Sequence, residues 1–185
     1  MHPDTASGRH ALTPHSSSEV TAVRELTVAV TRPVPDQLAL EYHLAGDLER
    51  LRFPEPRPPA RADGLWRRSC FELFIGHTPS ANYWEYNFSP SGAWAAYHFS
   101  AYREGMAPLL KGAAPAISCH LDGGALQLAV VVDLSWMRTV TVADLRLGIC
   151  AVVEDRAQVL SYWALKHPAE KPDFHHADSF VVALE

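Results

Sequence analysis

The stretch NYWEYNFSPSGAWAAYHF, residues 82–99, decides the fold class. Its two halves alternate large aromatic side chains with other residues, as expected for β-strands that have two distinct faces. Between the halves lies Ser89-Pro90-Ser91-Gly92, which is typical of a tight turn. Pro90 fixes φ near the value that a type I turn requires, and Gly92 tolerates the left-handed conformation that follows. The stretch therefore predicts a β-hairpin.

The two faces of this predicted hairpin differ in character. If the turn closes on Ser89 and Ala93, alternate residues of each strand fall on one face. The apolar face, which we assign to the core, comprises Trp84, Tyr86, Phe88, Trp94 and His98. The second face comprises Tyr83, Glu85, Asn87 and Tyr97. Rings beside a carboxylate and an amide suit the C–H faces and paired hydroxyls of a sugar, but an ordinary solvated face has a similar composition.

Short segments of alternating hydrophobicity recur along the rest of the chain. They cover residues 25–31, 37–44, 69–75, 116–121, 126–132, 145–153, 160–166 and 180–184. Helical patterns are scarce, since residues 133–137 allow only one turn and residues 101–110 are interrupted by Gly105 and Pro108. We therefore predict an all-β protein, an antiparallel, jelly-roll-like β-sandwich of about ten strands with little helix.

The length of 185 residues fits a single domain. Residues 1–19 are rich in Ser, Thr, Pro and His, which predicts a flexible tail before one domain over residues 20–185. One connection, residues 49–68, is long and carries four prolines and six arginines. It is either a solvated arm across one end of the sandwich or an arginine-bearing flap over a ligand pocket.

Composition argues against several classes of partner. The formal net charge of −5 does not suit a protein that binds nucleic acid or an anionic membrane surface. The first twenty residues lack the apolar run of a signal peptide, and no stretch approaches the length of a membrane span, so we expect a cytoplasmic protein. Three cysteines without CxxC spacing indicate reduced thiols rather than a disulfide framework.

Motifs of catalysis and metal binding are weak. The chain has no nucleophile elbow, P-loop or dinucleotide fingerprint. Glu72 and Glu85 could form a carboxylate pair on neighbouring strands, as glycoside hydrolases require, but two glutamates in strands are common. Four residues of metal-ligand type lie near the C-terminus: Asp173, His175, His176 and Asp178. They lack the spacing of a zinc site, so we do not expect a bound metal. Because no catalytic motif is recognisable either, we do not expect an enzyme.

Three stretches resemble bacterial DOMON-like domain proteins. They are LWRRSCFELFI (65–75), YWEYNFSPSGAWAAYHF (83–99) followed by YREGM (102–106), and SYWALKHPAEKPDFHHADSFVVAL (161–184). DOMON-like proteins are related to the family-nine carbohydrate-binding modules and to the haem-binding DOMON domains of cytochromes. The resemblance implies a sandwich of two antiparallel sheets that recognises a sugar or haem.

The resemblance also implies two sets of ligand contacts. The sugar-binding relatives stack a glycosyl ring between tryptophans, a role open here to Trp84, Trp94 or Trp163. They hold the hydroxyls with side chains of the types found at Glu85, Asn87 and Arg103. The haem-binding relatives ligate iron with Met and His or Lys, which would pair Met106 with His98 or His167.

We therefore predict a non-catalytic domain without a resident cofactor that binds a carbohydrate or a similar polyhydroxylated small molecule. The alternatives are a haem-binding DOMON domain with Met/His ligation and a protein-interaction module. The candidate ligand-binding residues are Glu72, Trp84, Glu85, Asn87, Trp94, Tyr97, Arg103, Trp163 and His167.

Overall fold

The computed structural model describes residues 8–20, 22–137 and 144–184, which form an all-β structure. The strands are β1 Gly8–Ala11, β2 Thr13–Pro14, β3 Val23–Thr31, β4 Gln37–Gly46, β5 Cys70–His77, β6 Tyr83–Phe88, β7 Trp94–Phe99, β8 Ala107–Pro108, β9 Ala116–Asp122, β10 Ala125–Asp133, β11 Leu145–Glu154, β12 Leu160–Ala164 and β13 Val182–Ala183. Short 3-10 turns at Leu48–Arg50, Leu65–Arg67, Ser135–Met137 and Ala177–Ser179 supply the helix in these ranges. Within them, no helix is long and apolar enough to cross a bilayer.

Two antiparallel sheets pack face to face. The smaller sheet has the order β1-β3-β4-β10-β9. The larger sheet has the order β2-β12-β11-β5-β6-β7-β8, with β13 also paired to β11. The predicted antiparallel β-sandwich is confirmed, and the ten predicted strands correspond to β3 to β7 and β9 to β13. The three strands that were not predicted, β1, β2 and β8, are two to four residues long.

The core lies between the two sheets and follows the alternation of the sequence. Four residues of β4 (Leu38, Leu40, Tyr42 and Leu44) and three of β5 (Phe71, Leu73 and Ile75) are fully buried in it. The Tyr42 hydroxyl donates a hydrogen bond to the backbone carbonyl of Glu72 at 3.0 Å. This bond satisfies a buried polar group and joins β4 of one sheet to β5 of the other.

The β6–β7 hairpin has the predicted turn and register. The backbone N–H of Ser89 donates to the carbonyl of Ala93 at 2.9 Å, and Gly92 has a φ of 91°. Phe88 lies opposite Trp94, and Glu85 lies opposite Tyr97. The hairpin therefore places its two faces as predicted, one toward the core and one toward the outside of the sandwich.

The N-terminal residues depart from prediction. A flexible tail over residues 1–19 is wrong for residues 8–14, because β1 pairs with β3 and β2 pairs with β12. Leu12, between these strands, is buried in the core. Two strand edges thus gain partners for their exposed backbone groups. Residues 1–7 of the predicted tail lie outside the described residues.

The outer face of the larger sheet, which points away from the core, is also covered. The covering segments are the long connection 49–68 and the C-terminal segment 165–181. The ring of Phe180 lies over Gly76 and Gly148, where an added Cβ would come within 2.7 and 2.5 Å of it. Because neither glycine has a side chain, the C-terminal segment lies close to the sheet. A second apolar cluster is thereby buried around Phe74.

Candidate functional site

A cavity of about 380 Å³ lies between the outer face of the larger sheet and the segments that cover it. This volume falls in the range of small-molecule pockets. Four aromatic side chains line it, each from a different part of the chain: Trp66, Phe99, Tyr162 and Phe174. We call this space the outer-face cavity.

Two glutamates form the polar floor of the outer-face cavity. Glu72 on β5 and Glu85 on β6 both point to the outer face, and they are diagonal neighbours because Glu72 lies opposite Asn87. Their exposed fractions are 2% and 4%. The side-chain amide of Asn87 donates to Glu85 Oε1 at 2.6 Å. Asn87 is therefore placed to orient Glu85.

Glu72 lacks the partners that a buried carboxyl group normally has. Its Oε1 atom makes no hydrogen bond to any described residue. Its Oε2 atom is approached by the Cys150 thiol, with the sulfur at 3.8 Å. Leaving a buried polar atom without a partner costs about 1–3 kcal/mol. The Glu72 side chain is therefore expected to lower the stability of the folded protein.

A third buried glutamate shows the contrast. Glu154, on β11 of the same sheet, has a 3% exposed side chain and accepts from Arg68 at 2.6 Å, with Arg52 at 3.5 Å. The chain thus provides two arginines for this buried carboxylate. Neither Glu72 nor Glu85 forms an ion pair with a described lysine or arginine.

Burial changes the protonation of the glutamate pair. Desolvation raises the pKa of Glu72 well above its ordinary value, and the nearby Glu85 charge raises it further. Desolvation also raises the pKa of Glu85 to about 7, against the opposing effects of the Asn87 hydrogen bond and the Arg103 charge. The pair therefore retains at least one proton at neutral pH.

Arg103 is held at the rim of the outer-face cavity. Its guanidinium donates to Asp173 Oδ1 at 2.8 Å, and the Tyr102 hydroxyl donates to the other oxygen of Asp173 at 2.6 Å. The backbone N–H of Arg103 donates to the Tyr83 hydroxyl at 3.1 Å. Arg103 has a φ of 55°, a left-handed conformation that non-glycine residues adopt infrequently. The rim is thus held by several contacts between the 101–106 turn and the C-terminal segment.

His175 lies between this rim and the floor. Its Nδ1 atom forms a hydrogen bond with the Tyr83 hydroxyl at 2.8 Å, and its Nε2 atom lies 3.8 Å from Glu85 Oε2. Burial lowers the pKa of His175 to about 4, and the charge of Arg103 acts in the same direction. At neutral pH the imidazole is uncharged, so its contact with Glu85 is not an ion pair.

Three of the predicted ligand residues line the outer-face cavity: Glu72, Glu85 and Arg103. Asn87 and Tyr97 share the outer face but do not line the cavity. Asn87 is fully buried below Glu85, and the Tyr97 hydroxyl donates to Asp63 at 2.6 Å while its ring packs edge-on against Trp66.

The three tryptophans predicted to stack on a sugar lie outside the outer-face cavity. Trp84 and Trp163 are buried in the core between the sheets, because they occupy the inward positions of β6 and β12. Trp94, also inward on β7, is half-buried at the sandwich edge, with the Arg61 guanidinium 5.3 Å from its ring centre. None of the three lines the outer-face cavity.

The predicted Met/His haem ligands do not line a common cavity. Met106 lines the outer-face cavity and is 49% exposed. His98 lies on the core side of β7 against Trp84. His167 bonds the Thr13 carbonyl at 2.8 Å and does not line the cavity. The outer-face cavity is therefore lined by Met106 but by neither candidate histidine.

Sequence reasoning missed Trp66, Tyr162, Phe174 and His175. Trp66 belongs to the long connection, where the flap hypothesis emphasised arginines. Arg61 instead anchors this connection, because its guanidinium donates a hydrogen bond to the Leu109 carbonyl at 2.9 Å. Phe174 and His175 belong to the segment considered for metal ligands. Within the described ranges, no group of three or more His, Cys, Asp or Glu residues could hold a metal ion.

A second cavity, of about 480 Å³, also borders His175 and includes Tyr83, Tyr102 and Arg146 in its lining. Although it is larger, no glutamate lines it. The outer-face cavity is the stronger candidate site because Glu72, which lines it, lacks a full set of hydrogen-bond partners.

Comparison with known proteins supports the fold. No protein-family model matches the chain, and no curated protein matches it in sequence. A solved crystal structure from Bacteroides uniformis, of a protein whose proposed role is carbohydrate binding, is similar with a TM-score of 0.61 and 13% sequence identity. The similarity covers 95% of this chain and 84% of the other. The two proteins therefore share a fold over nearly all of the present chain.

Proposed function

We propose that the protein is a non-catalytic ligand-binding β-sandwich that holds a carbohydrate or a similar polyhydroxylated small molecule in the outer-face cavity. The observation that carries the proposal is the buried Glu72 carboxyl group, whose Oε1 atom has no partner among the described residues, at the floor of an aromatic cavity. A ligand that donates a hydrogen bond to this atom would offset its desolvation.

The rest of the lining supports the same ligand class. The rings of Trp66, Tyr162 and Phe174 offer apolar surfaces to the C–H faces of a sugar. The glutamate pair retains a proton at neutral pH and can both donate and accept hydrogen bonds, which matches the dual character of hydroxyl groups. The proposed role of the similar Bacteroides uniformis protein agrees with this ligand class.

The protonation of the pair does not by itself separate binding from glycoside hydrolysis. A glycoside hydrolase of the usual type needs one ionised carboxylate beside a protonated one. Burial raises the pKa of Glu72 well above its ordinary value and that of Glu85 to about 7. The non-catalytic part of the proposal is therefore tested by an assay for glycoside cleavage.

A calorimetric titration against a panel of monosaccharides, disaccharides and polyols tests the proposal. We expect at least one member to bind with a stoichiometry of one per chain, and we expect no cleavage of the corresponding aryl glycosides. Absence of binding across the panel at millimolar concentrations would contradict the proposal. The visible spectrum of the purified protein is a parallel check, because a Soret band would favour haem instead.

A further inference from the structure

The floor of the outer-face cavity has an excess of hydrogen-bond acceptors. Glu72 Oε1 has no described partner, and the thiol contact of Glu72 Oε2 is long at 3.8 Å. The contact of Glu85 Oε2 with His175 is also 3.8 Å. Once the carboxyl groups ionise, these three oxygens have little compensation from the described residues. An ammonium group has three donors and no acceptor, so it complements this floor better than a hydroxyl group does.

The cations near this floor are engaged elsewhere or uncharged. The Arg103 guanidinium bonds Asp173 at 2.8 Å. Arg52 and Arg68 contact Glu154. His175, the closest basic side chain to Glu85, is neutral above about pH 4 because burial lowers its pKa to about 4. The charge of Arg103 acts on Glu85 from the rim, but no described lysine or arginine forms an ion pair with Glu72 or Glu85. A ligand ammonium group would therefore be the direct ion-pair partner of the ionised pair.

The walls of the cavity also suit a cation. Trp66, Phe99, Tyr162 and Phe174 present aromatic rings around the carboxyl pair. The faces of aromatic rings carry negative electrostatic potential and attract ammonium groups, more strongly when water is excluded. A ligand ammonium group in this cavity would therefore be attracted both by the aromatic rings and by the ionised carboxyl groups.

We propose that the outer-face cavity recognises an amine-bearing member of the proposed ligand class, such as an aminohexose, with its ammonium group on the Glu72–Glu85 pair. This inference rests on the proposed function and narrows its ligand. The hydroxyl groups of the ligand remain for the rim, where Arg103 lies, and its C–H faces contact the aromatic walls.

Binding of such a cation is linked to proton release. The titratable and charged groups around the pair come from several elements: Tyr42 on β4, Cys70 on β5, Tyr83 on β6, Tyr97 on β7, Cys150 on β11, Tyr162 on β12, Arg103 in the turn after β7, and Asp173 and His175 in the C-terminal segment. Burial raises the pKa of Tyr42, Tyr83 and Tyr97, so these hydroxyl groups stay neutral. Burial raises the pKa of both thiols, so they stay neutral. An ammonium favours the ionised form of Glu72 and Glu85 and lowers their pKa values. Affinity should therefore increase from pH 5 to pH 7, with protons released on binding.

Matched sugar pairs test the inference. Glucosamine, galactosamine and mannosamine each differ from the neutral hexose by one amine in place of one hydroxyl, and N-acetylglucosamine removes the charge. At pH 6.5 we expect at least one amine to bind about tenfold or more tightly than its neutral partner. We expect Glu72→Gln, which conserves volume, to bring that pair to near parity. As a measurement that does not depend on a variant, calorimetry in two buffers of different ionisation enthalpy should show proton release.

The outcomes separate the inference from the proposed function. Equal or tighter binding of the neutral hexoses, or binding without proton release, would overturn the inference and leave the carbohydrate site intact. No binding of either series would overturn both. A preference for the amine that persists unchanged in Glu72→Gln would also overturn the inference, because the ammonium would then lie elsewhere.

Discussion

Glu85→Gln is expected to raise the free energy of unfolding at pH 8 and to leave it nearly unchanged at pH 4.5. The folded-state pKa of Glu85 is raised from 4.5 to about 7. Below pH 4.5 the carboxyl is protonated in both folded and unfolded states, so its burial carries no ionisation penalty. As the pH rises through 7, the unfolded state gains more from ionisation than the folded state, and stability is lost.

The size of the expected gain follows from the same shift. A difference from 4.5 to about 7 corresponds to a gain of up to about 3 kcal/mol at pH 8. For a domain of this size that is a rise in melting temperature of up to about 6–12 °C. Glutamine keeps an oxygen that accepts from Asn87, so the variant should retain the local geometry.

Thermal unfolding at pH 4.5, 6 and 8 measures this effect, with Glu41→Gln as the matched control. Glu41 is an exposed glutamate on β4 of the smaller sheet, and its replacement should change stability little at any pH. If Glu85→Gln instead destabilises the protein equally at pH 4.5 and pH 8, Glu85 is a satisfied structural residue. The interpretation of the floor as a ligand site would then lose its main energetic support.

Trp66→Ala is expected to weaken ligand binding by about 30-fold, the loss of about 2 kcal/mol typical of an aromatic anchor in a binding site. Trp66 lines the outer-face cavity and packs edge-on against Tyr97, with ring centres 5.9 Å apart. Its indole provides one wall without belonging to the core between the sheets. The measurement is a calorimetric titration of the variant with the panel member that binds the wild type most tightly.

Trp94→Ala provides the matched control, because Trp94 is one of the three tryptophans that the family resemblance left open as stacking residues. Its ring is half-buried and lies beside Arg61, outside the cavity. We expect its replacement to leave affinity unchanged, with thermal melts confirming that both variants fold. A large loss in Trp94→Ala with normal binding in Trp66→Ala would move the site to the opposite side of β7.

The hairpin shows what the sequence could predict. Pro90 and Gly92 determine the turn, the turn determines the register, and the register determines which face Glu85 occupies. The candidate Glu72–Glu85 pair is likewise a consequence of two adjacent strands with predictable alternation. The predicted all-β sandwich rests on the same kind of local signal.

The walls of the site were not predictable in the same way. Trp66 and Phe174 reach the cavity from segments without strand periodicity, so no local pattern states which face they cover. The side chains of β12 alternate between two faces, and Trp163 lies on one of them. Which face of β12 points to the core depends on the pairing of β12 with β11, which is a long-range contact. The short strands β1 and β2 form because they pair with the edge strands β3 and β12. Their composition alone does not indicate a strand.

The contrast between the buried glutamates is the main argument for a ligand at the floor of the outer-face cavity. Glu154 has two arginine partners, whereas Glu72 has an oxygen without any described partner. Replacing a buried carboxyl group that lacks partners should stabilise a protein, unless a bound ligand already offsets the cost of burying that group. The predicted gain in Glu85→Gln and the predicted loss of amine preference in Glu72→Gln are two consequences of this arrangement.

The most direct test of the central claim is a map of amide chemical-shift changes on titration of isotope-labelled protein with the panel member that binds most tightly. We predict that the largest changes cluster around the outer-face cavity, at Glu72, Glu85, Arg103, Tyr162 and His175. Changes centred instead on the second cavity, at residues 78–82, or on the smaller sheet would contradict the assignment of the ligand site to the outer face of the larger sheet.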